Sequence, residues 1–333
     1  MKKRFRSLSP ARMGLIISSI VMYFIILIVL MTAFRDHTSP EPVYGSLEGR
    51  YESDITLDLN GRTLHYREWE ITNYLLIGVD KEDVTQATGH QNGGQADFLV
   101  VLSIDRISRT VTPVMLDRDT MTEMQTYGVF GHPAGIKVMQ LCLAQAYSGV
   151  NIPGSINTVQ TVEKLLRGIK IDHYVVLDIT AIPLVNDAIG GVEVTLMDDF
   201  TSIDPAMTKG ATLRLMGKQA EFFVRGRMTV ADGTNASRMA RQQQYLSGFL
   251  TQFRQAVQGN QGKLKEVLSI LDGHMTSDAS GDTLLHDINA YDSYEWKPLV
   301  TLKGEHAIDE YGFAEFWIDE GARDQLVTEI WFK

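Results

Sequence analysis

A single cysteine, Cys142, occurs in 333 residues, so no disulfide can close within the chain. It lies in the apolar stretch 138–144, where the readings are a buried structural thiol or, less simply, a reactive nucleophile. Histidine is also sparse. His90 and His132 sit in glycine-rich loops with no second histidine at ligand spacing, which argues against a zinc site. No repeat or low-complexity tract is present, which excludes a solenoid. No Asp or Glu precedes Asp36, and no charge of either sign occurs across the 22 residues 13–34.

Those last two absences organise the amino-terminal end. Lys2, Lys3, Arg4, Arg6 and Arg12 form a basic tail over residues 1–12. As a helix, the uncharged run that follows reaches about 33 Å, enough to cross a bilayer core. A cleaved signal peptide fits less well, because its apolar segment is shorter and a small-residue cleavage site follows it. The tail's charge predicts a single-pass protein of the cell membrane with its amino terminus in the cytoplasm and its main domain outside. The five basic residues of the tail leave 26 Lys and Arg against 41 Asp and Glu, a net charge of −15 for the exported part. Nucleic acid is therefore an unsuitable partner, since phosphate backbones demand a basic face.

Residues 35–71 read as a tether, with Pro40 and Pro42, followed by a β-hairpin over 55–66 turning at Asn60-Gly61. Residues 72–333 read as one domain. Strands are predicted at 74–79, 98–104 and 110–116, the last two as a hairpin, and again at 173–179 and 192–196. Helices are predicted at 136–149, 155–168, 217–224 and 235–257, and over the stretch that ends at Ile189 before Gly190-Gly191. The last 60 residues read as helix, strand, strand, helix. Strands interleaved with helices give an α/β fold, an αβα sandwich with a central mixed β-sheet, behind one transmembrane helix.

Two features carry chemistry. Asp80, Asp97 and Asp119 stand at strand ends, where α/β proteins build ligand sites and where two carboxylates suffice for Mg²⁺. Such aspartates are equally common as turn caps. Residues 214–241 carry Arg214, Lys218, Arg225, Arg227, Arg238 and Arg241 against only Glu221 and Asp232. Arg238, Arg241 and Gln242 fall on one helix face by spacing. Guanidinium forks match phosphate oxygens, so a basic cluster in an acidic domain points to a phosphorylated ligand; a solvated face paired with local acids is the alternative. Met115, Met121 and Met124 read as core or lining, and Phe222 and Phe223 as helix packing.

The ordered motifs Leu75-Leu76-Ile77-Gly78-Val79-Asp80, Gln95-Ala96-Asp97, Asp117-Arg118-Asp119-Thr120, Gly190-Gly191-Val192, Val224-Arg225-Gly226-Arg227 and Arg238-Met239-Ala240-Arg241-Gln242 together resemble the LytR-CpsA-Psr family of cell-wall enzymes. The resemblance implies a transferase that takes a glycopolymer from a polyprenyl-pyrophosphate carrier at the cytoplasmic membrane and joins it to peptidoglycan. It implies Mg²⁺ on Asp80 and Asp97, and phosphate contacts from Arg118, Arg225, Arg227 and Arg238, with Gln242, Arg241 and Gln95 beside them on the substrate. It also implies that Asp119 either steers Arg118 or accepts the incoming hydroxyl's proton. These groups are expected to converge on one diphosphate.

Four positions depart from the family pattern. Gln95 replaces an arginine, Asp117 replaces the proline before Arg118, and Gln140 and Cys142 stand where relatives have lysine and asparagine. Fewer cations predict a weaker grip on pyrophosphate, at about 1.5–3 kcal/mol per lost charge-assisted hydrogen bond. Lys137, Arg214 or Arg241 would compensate. A domain that binds lipid-linked intermediates as scaffold or sensor, without turnover, is the alternative these departures motivate.

Overall fold

The run from Ile71 to Val79 and that from Ala96 to Asp105 are nearly continuous in aliphatic residues, the composition of strands covered on both faces. The computed structural model describes residues 55–59, 61–80, 94–149, 152–226, 260–280 and 294–333, with parts of 237–256 and 283–291. The expected membrane span at 13–34 lies outside them; among the described residues, no helix is long and apolar enough to cross a membrane. Residues 72–333, expected as one domain, contribute to two compact units: Arg35–Ile179 with His274–Lys333, and Thr180–Gly273.

The larger unit is built on a mixed sheet. β3 (Ile71–Val79) lies between β4 (Ala96–Asp105), antiparallel to it, and β8 (His173–Asp178), parallel to it. β5 (Thr110–Leu116) continues the sheet beyond β4 as the expected hairpin partner. β11 (Met275–Ser277) borders β8, while the two-residue strands β12 (Glu295–Trp296) and β13 (Val300–Thr301) run parallel along β5. This is the predicted α/β arrangement with a central mixed sheet. Leu75, Ile77, Leu99, Val101, Val114 and Leu116 share one buried cluster with Val159 and Val162 of α2 (Gly154–Leu165) and Val327 and Trp331 of α6 (Glu320–Trp331). Gly154 is obligatory, because a Cβ there would lie 1.9 Å from the Gln145 carbonyl oxygen.

The hairpin β1 (Thr56–Leu59) and β2 (Arg62–His65) forms where expected, with Gly61 turning at φ +76°. It packs Leu57 and Leu64 on the core cluster and exchanges backbone hydrogen bonds between His65 and Lys333. Beneath it, Asn73 donates to the Tyr66 hydroxyl (2.9 Å) and the Lys170 carbonyl (2.7 Å), and accepts from Trp331 Nε1 (2.9 Å). Asn73→Ala orphans these buried groups and is expected to cost about 3 kcal/mol, read as a lower urea midpoint at unchanged slope.

The helix predicted over 136–149 begins as strand and is helical only in its middle. β6 (Met121–Tyr127) pairs with β7 (Pro133–Gln140), and only α1 (Leu143–Ala146) is helical. Ile136 and Val138 alternate with Gly135 and Lys137, a period of two that propensity hid. β14 (Gly304–Ile308) and β15 (Ala314–Ile318) form a further hairpin, tied to this one by Gln140 Nε2 donating to the Ala314 carbonyl at 2.6 Å.

Where β3 and β8 begin, the rings of Tyr74 and His173 lie 5.1 Å apart. His173 Nδ1 sits 3.6 Å from Asp278 Oδ2, an ion-pair distance, and the Tyr74 hydroxyl donates to Asp287. Burial alone would lower the His173 pKa, but the charges of Asp278, Asp172 and Asp287 outweigh it and hold the pKa above the ordinary 6.5. The protonated ring thus stabilises the fold fully below that ordinary value, and the contribution is lost as pH rises through the raised folded value. Melting temperatures of wild type and His173→Gln, compared from about pH 5.5 to about pH 8.5, are expected to differ most at the acid end and converge at the alkaline end.

In the smaller unit, α3 (Ala181–Ala188) leads through Gly190-Gly191 into β9 (Val192–Thr195), which pairs with β10 (Thr212–Leu215). Gly191 holds φ +85°, and a Cβ there would meet the Leu215 carbonyl at 2.8 Å. α4 (Lys218–Arg225) and α5 (Gln261–Asp272) are further helices of this unit. Phe200, Phe223, Tyr245, Phe249 and Phe253 form a continuous buried chain of rings, with successive centroids 5.5–6.5 Å apart.

Candidate active site

The site is assembled where β3 ends and β4 begins. Gly78 pairs with Phe98 and Val79 with Ala96, so Asp97 has no opposite residue and occupies a β-bulge. Bulges re-aim side chains at strand ends and recur beside active sites. The peptide joining Val79 to Asp80 is pinned from both sides. Its carbonyl accepts from Ile179 N (3.1 Å), and its N–H donates to the Gln95 carbonyl (3.0 Å). Residues 141–142 then stitch a third segment in place: Ala96 N donates to Cys142 O, Cys142 N to Arg118 O, and Leu141 N to Thr120 O. Asp80, Gln95, Asp97, Arg118, Asp119 and Cys142 thereby meet at one end of the sheet.

Arg118 is the hub. Its Nη1 donates to Asp97 Oδ1, its Nη2 to Gln95 Oε1 (2.6 Å) and Cys142 Sγ (3.1 Å), and its Nε to Asp119 Oδ1 (3.2 Å). The side chain is only 10% exposed. Asp119 is buried, and its Oδ2 has no hydrogen-bond partner among the described residues. Asp117 accepts the Asp119 N–H on its carboxylate (2.9 Å) and the Thr120 hydroxyl on its carbonyl (2.7 Å). It closes an Asx-type turn that fixes Arg118-Asp119. Gln95 supplies an acceptor to Arg118.

Carboxylate outweighs cation here, since Asp97 and Asp119 both contact the one Arg118 guanidinium and Asp80 stands exposed at the end of the neighbouring strand. An orphaned buried carboxylate oxygen and an all-oxygen donor set fit a hard divalent cation such as Mg²⁺, which needs one or two carboxylates and keeps several waters. Among the described residues, no group of three or more His, Cys, Asp or Glu side chains is close enough to enclose a metal.

The other predicted phosphate ligands belong to the smaller unit. Arg225, in the last turn of α4, donates to Glu221 Oε1 at 2.6 Å, one helical turn earlier. Arg214 donates to the Gly190 carbonyl (3.2 Å) and stands 3.9 Å from Glu193. These are the local acid pairings that the sequence left as an alternative. Arg241, grouped with Arg238 and Gln242 by spacing, is itself turned to the interior. It is 1% exposed, donates to Asp198 (3.0 Å) and to the Gly226 carbonyl, and lies over the Phe200 ring. Spacing explains this: residues 241, 245, 249 and 253 form one stripe at intervals of four, and Tyr245, Phe249 and Phe253 are buried. Arg241 anchors the segment after α4 through Gly226. Arg227, Arg238 and Gln242 lie outside the described residues.

Two features of the site were missed in the sequence. Cys142 touches Arg118, a contact that its apolar sequence surroundings conceal. Asp178 pairs with His274, and no local pattern announced that pair.

Residues 47–326 match the family model described as the LytR_cpsA_psr family, and the chain belongs to that family. A Bacillus cereus relative named polyisoprenyl-teichoic acid–peptidoglycan teichoic acid transferase TagU is 29% identical over 54% of this chain and 52% of its own length. A Bacillus licheniformis protein of the same name is 24% identical over 77% of this chain and 76% of its own. The chain thus spans about half the length of the first of these relatives. Among solved structures, protein gbs0355 from Streptococcus agalactiae superposes with a TM-score of 0.60 at 22% identity, covering 79% of this chain and 87% of that one. TagT from B. subtilis superposes with a TM-score of 0.54 at 19% identity, covering 86% and 94%. These likenesses show the fold.

Proposed function

We propose that this protein is a membrane-anchored phosphotransferase that moves an anionic glycopolymer of the teichoic acid or capsule type from a polyprenyl-pyrophosphate carrier to peptidoglycan. The single observation that carries the reading is the Arg118 hub, gripped by Asp97, Gln95 and Asp119 at the bulged strand end, in a member of a family whose named relatives are teichoic acid transferases. Residues 13–34 are the anchor, with residues 1–12 in the cytoplasm.

Phosphoryl transfer requires little covalent chemistry from a protein; positioning and neutralisation of charge suffice. Arg118 binds phosphate oxygens, and Asp119 holds its guanidinium in the productive orientation. Asp80 and Asp97 would hold Mg²⁺, which supplies charge neutralisation at the pyrophosphate when bound. Full-length protein in detergent, given a polyprenyl-pyrophosphoryl oligosaccharide, peptidoglycan fragments and Mg²⁺, is expected to release polyprenyl phosphate and form linked product. No product from wild type sinks the reading.

One observation favours a second reading, a lipid-intermediate binder without turnover. The Arg118 guanidinium already donates to four protein groups, so a phosphate must compete with them. Tight binding of the lipid diphosphate with no linked product selects this alternative.

A further inference from the structure

Beside the Arg118 hub, the same end of the sheet carries a second polar pair. Asp178 is the last residue of β8 and stands in register with Val79, the residue before Asp80. Its side chain is fully buried, and both its oxygens contact His274 Nδ1, at 3.0 and 2.9 Å. The pair is fixed by backbone as well: Asp178 N donates to the His274 carbonyl at 3.0 Å, and β11 then runs antiparallel to β8 from Met275 opposite Leu177. Ile179, next in the chain, donates to the Val79 carbonyl and so ties this corner to the Asp80 peptide.

A buried carboxylate holding Nδ1 selects the ring tautomer and aims Nε2 away from the carboxylate. His274 keeps 23% of its side chain exposed. β11 lies two strands from β3, about 10 Å at ordinary strand spacing. That span accommodates a phosphoryl group held at Asp80 with an incoming hydroxyl beyond it.

We propose that His274, oriented by Asp178, is the general base that takes the proton from the acceptor hydroxyl. The inference rests on the transferase reading above and supplies the proton acceptor that reading leaves unnamed. The acceptor oxygen bonds to the phosphorus attached to the glycopolymer. The phosphoanhydride P–O bond breaks, and polyprenyl phosphate leaves with the electron pair. The hydroxyl proton passes to His274 Nε2 and from there to solvent. Asp178 acts through His274 and is a positioning residue.

The test uses full-length protein with the donor and acceptor given above, and reads turnover alongside binding of the polyprenyl diphosphate donor. His274→Ala is expected to lower turnover about 10²-fold or more, the scale of general-base catalysis, with donor affinity within about twofold of wild type. Added imidazole is expected to restore part of the loss in His274→Ala and none in Asp178→Asn, where the ring is present but wrongly oriented. His274→Gln, which keeps the volume and a hydrogen bond to Asp178, is expected to melt close to wild type and to be as inactive as the alanine variant. An active wild type with His274→Ala and His274→Gln at wild-type turnover overturns the inference alone. Loss of turnover that follows loss of donor binding, without imidazole rescue, also overturns it. A wild type that forms no product overturns the transferase reading and this inference with it.

Discussion

Replacing Arg118 by alanine is expected to lower turnover roughly 10²–10³-fold, the usual effect of deleting one preorganised donor aimed at developing charge. Arg118 is the cation that Asp97, Asp119 and Gln95 jointly hold, and its side chain is largely withdrawn from water. Its deletion also removes the cation beside the buried Asp119, so the variant is expected to lose about 3–5 kcal/mol of stability. Turnover therefore has to be read well below the variant's melting temperature. Arg118→Lys separates charge from geometry. A lysine keeps the charge but has no planar fork and reaches fewer of the four partners. It is expected to recover much of the stability and less than about a tenth of the activity. Equal activity of the lysine and wild-type proteins would show that the fork is irrelevant.

Asp80→Asn and Asp97→Asn are expected to lower turnover by about 10²-fold or more. A bound divalent ion supplies several kcal/mol of charge stabilisation at a phosphoryl oxygen, and each 1.36 kcal/mol is about tenfold in rate. The two variants differ in a useful way. Asp80 is exposed beyond the end of β3, so its change is expected to leave melting unaffected and act only through the metal. Asp97 also pairs with Arg118, so its change is expected to lower melting as well. Turnover titrated with Mg²⁺ after chelator treatment checks both. Each variant is expected to require more Mg²⁺ for half-maximal rate, and an unchanged requirement in both removes Asp80 and Asp97 as ligands.

The strands that frame this site were legible because their signal is local. The aliphatic runs of β3 and β4, and the Asp-Arg-Ile-Ser-Arg turn between β4 and β5, state their own conformation. The strand-end acids were legible as types at positions. The bulge that sets Asp97 apart was not, because it exists only in the pairing of β4 with β3. The helix expected over β7 failed because Ile136 and Val138 carry a period-two pattern too short to outweigh neighbouring helix formers. Arg241 continues the stripe of Tyr245, Phe249 and Phe253, and its charge masks that periodicity in the sequence. The contacts of Cys142 with Arg118 and of His274 with Asp178 span 24 and 96 residues. Only the sheet brings them together, so no local window could have contained them.

The central claim is that the Arg118 end of the sheet holds a diphosphate. The direct measurement is the affinity of full-length protein for a polyprenyl diphosphate, with and without Mg²⁺, compared among wild type, Arg118→Ala and Asp80→Asn. The account predicts that Mg²⁺ tightens binding to wild type, that Arg118→Ala binds at least about tenfold more weakly, and that Asp80→Asn loses the Mg²⁺ effect. Equal affinity across all three proteins, indifferent to Mg²⁺, would contradict it.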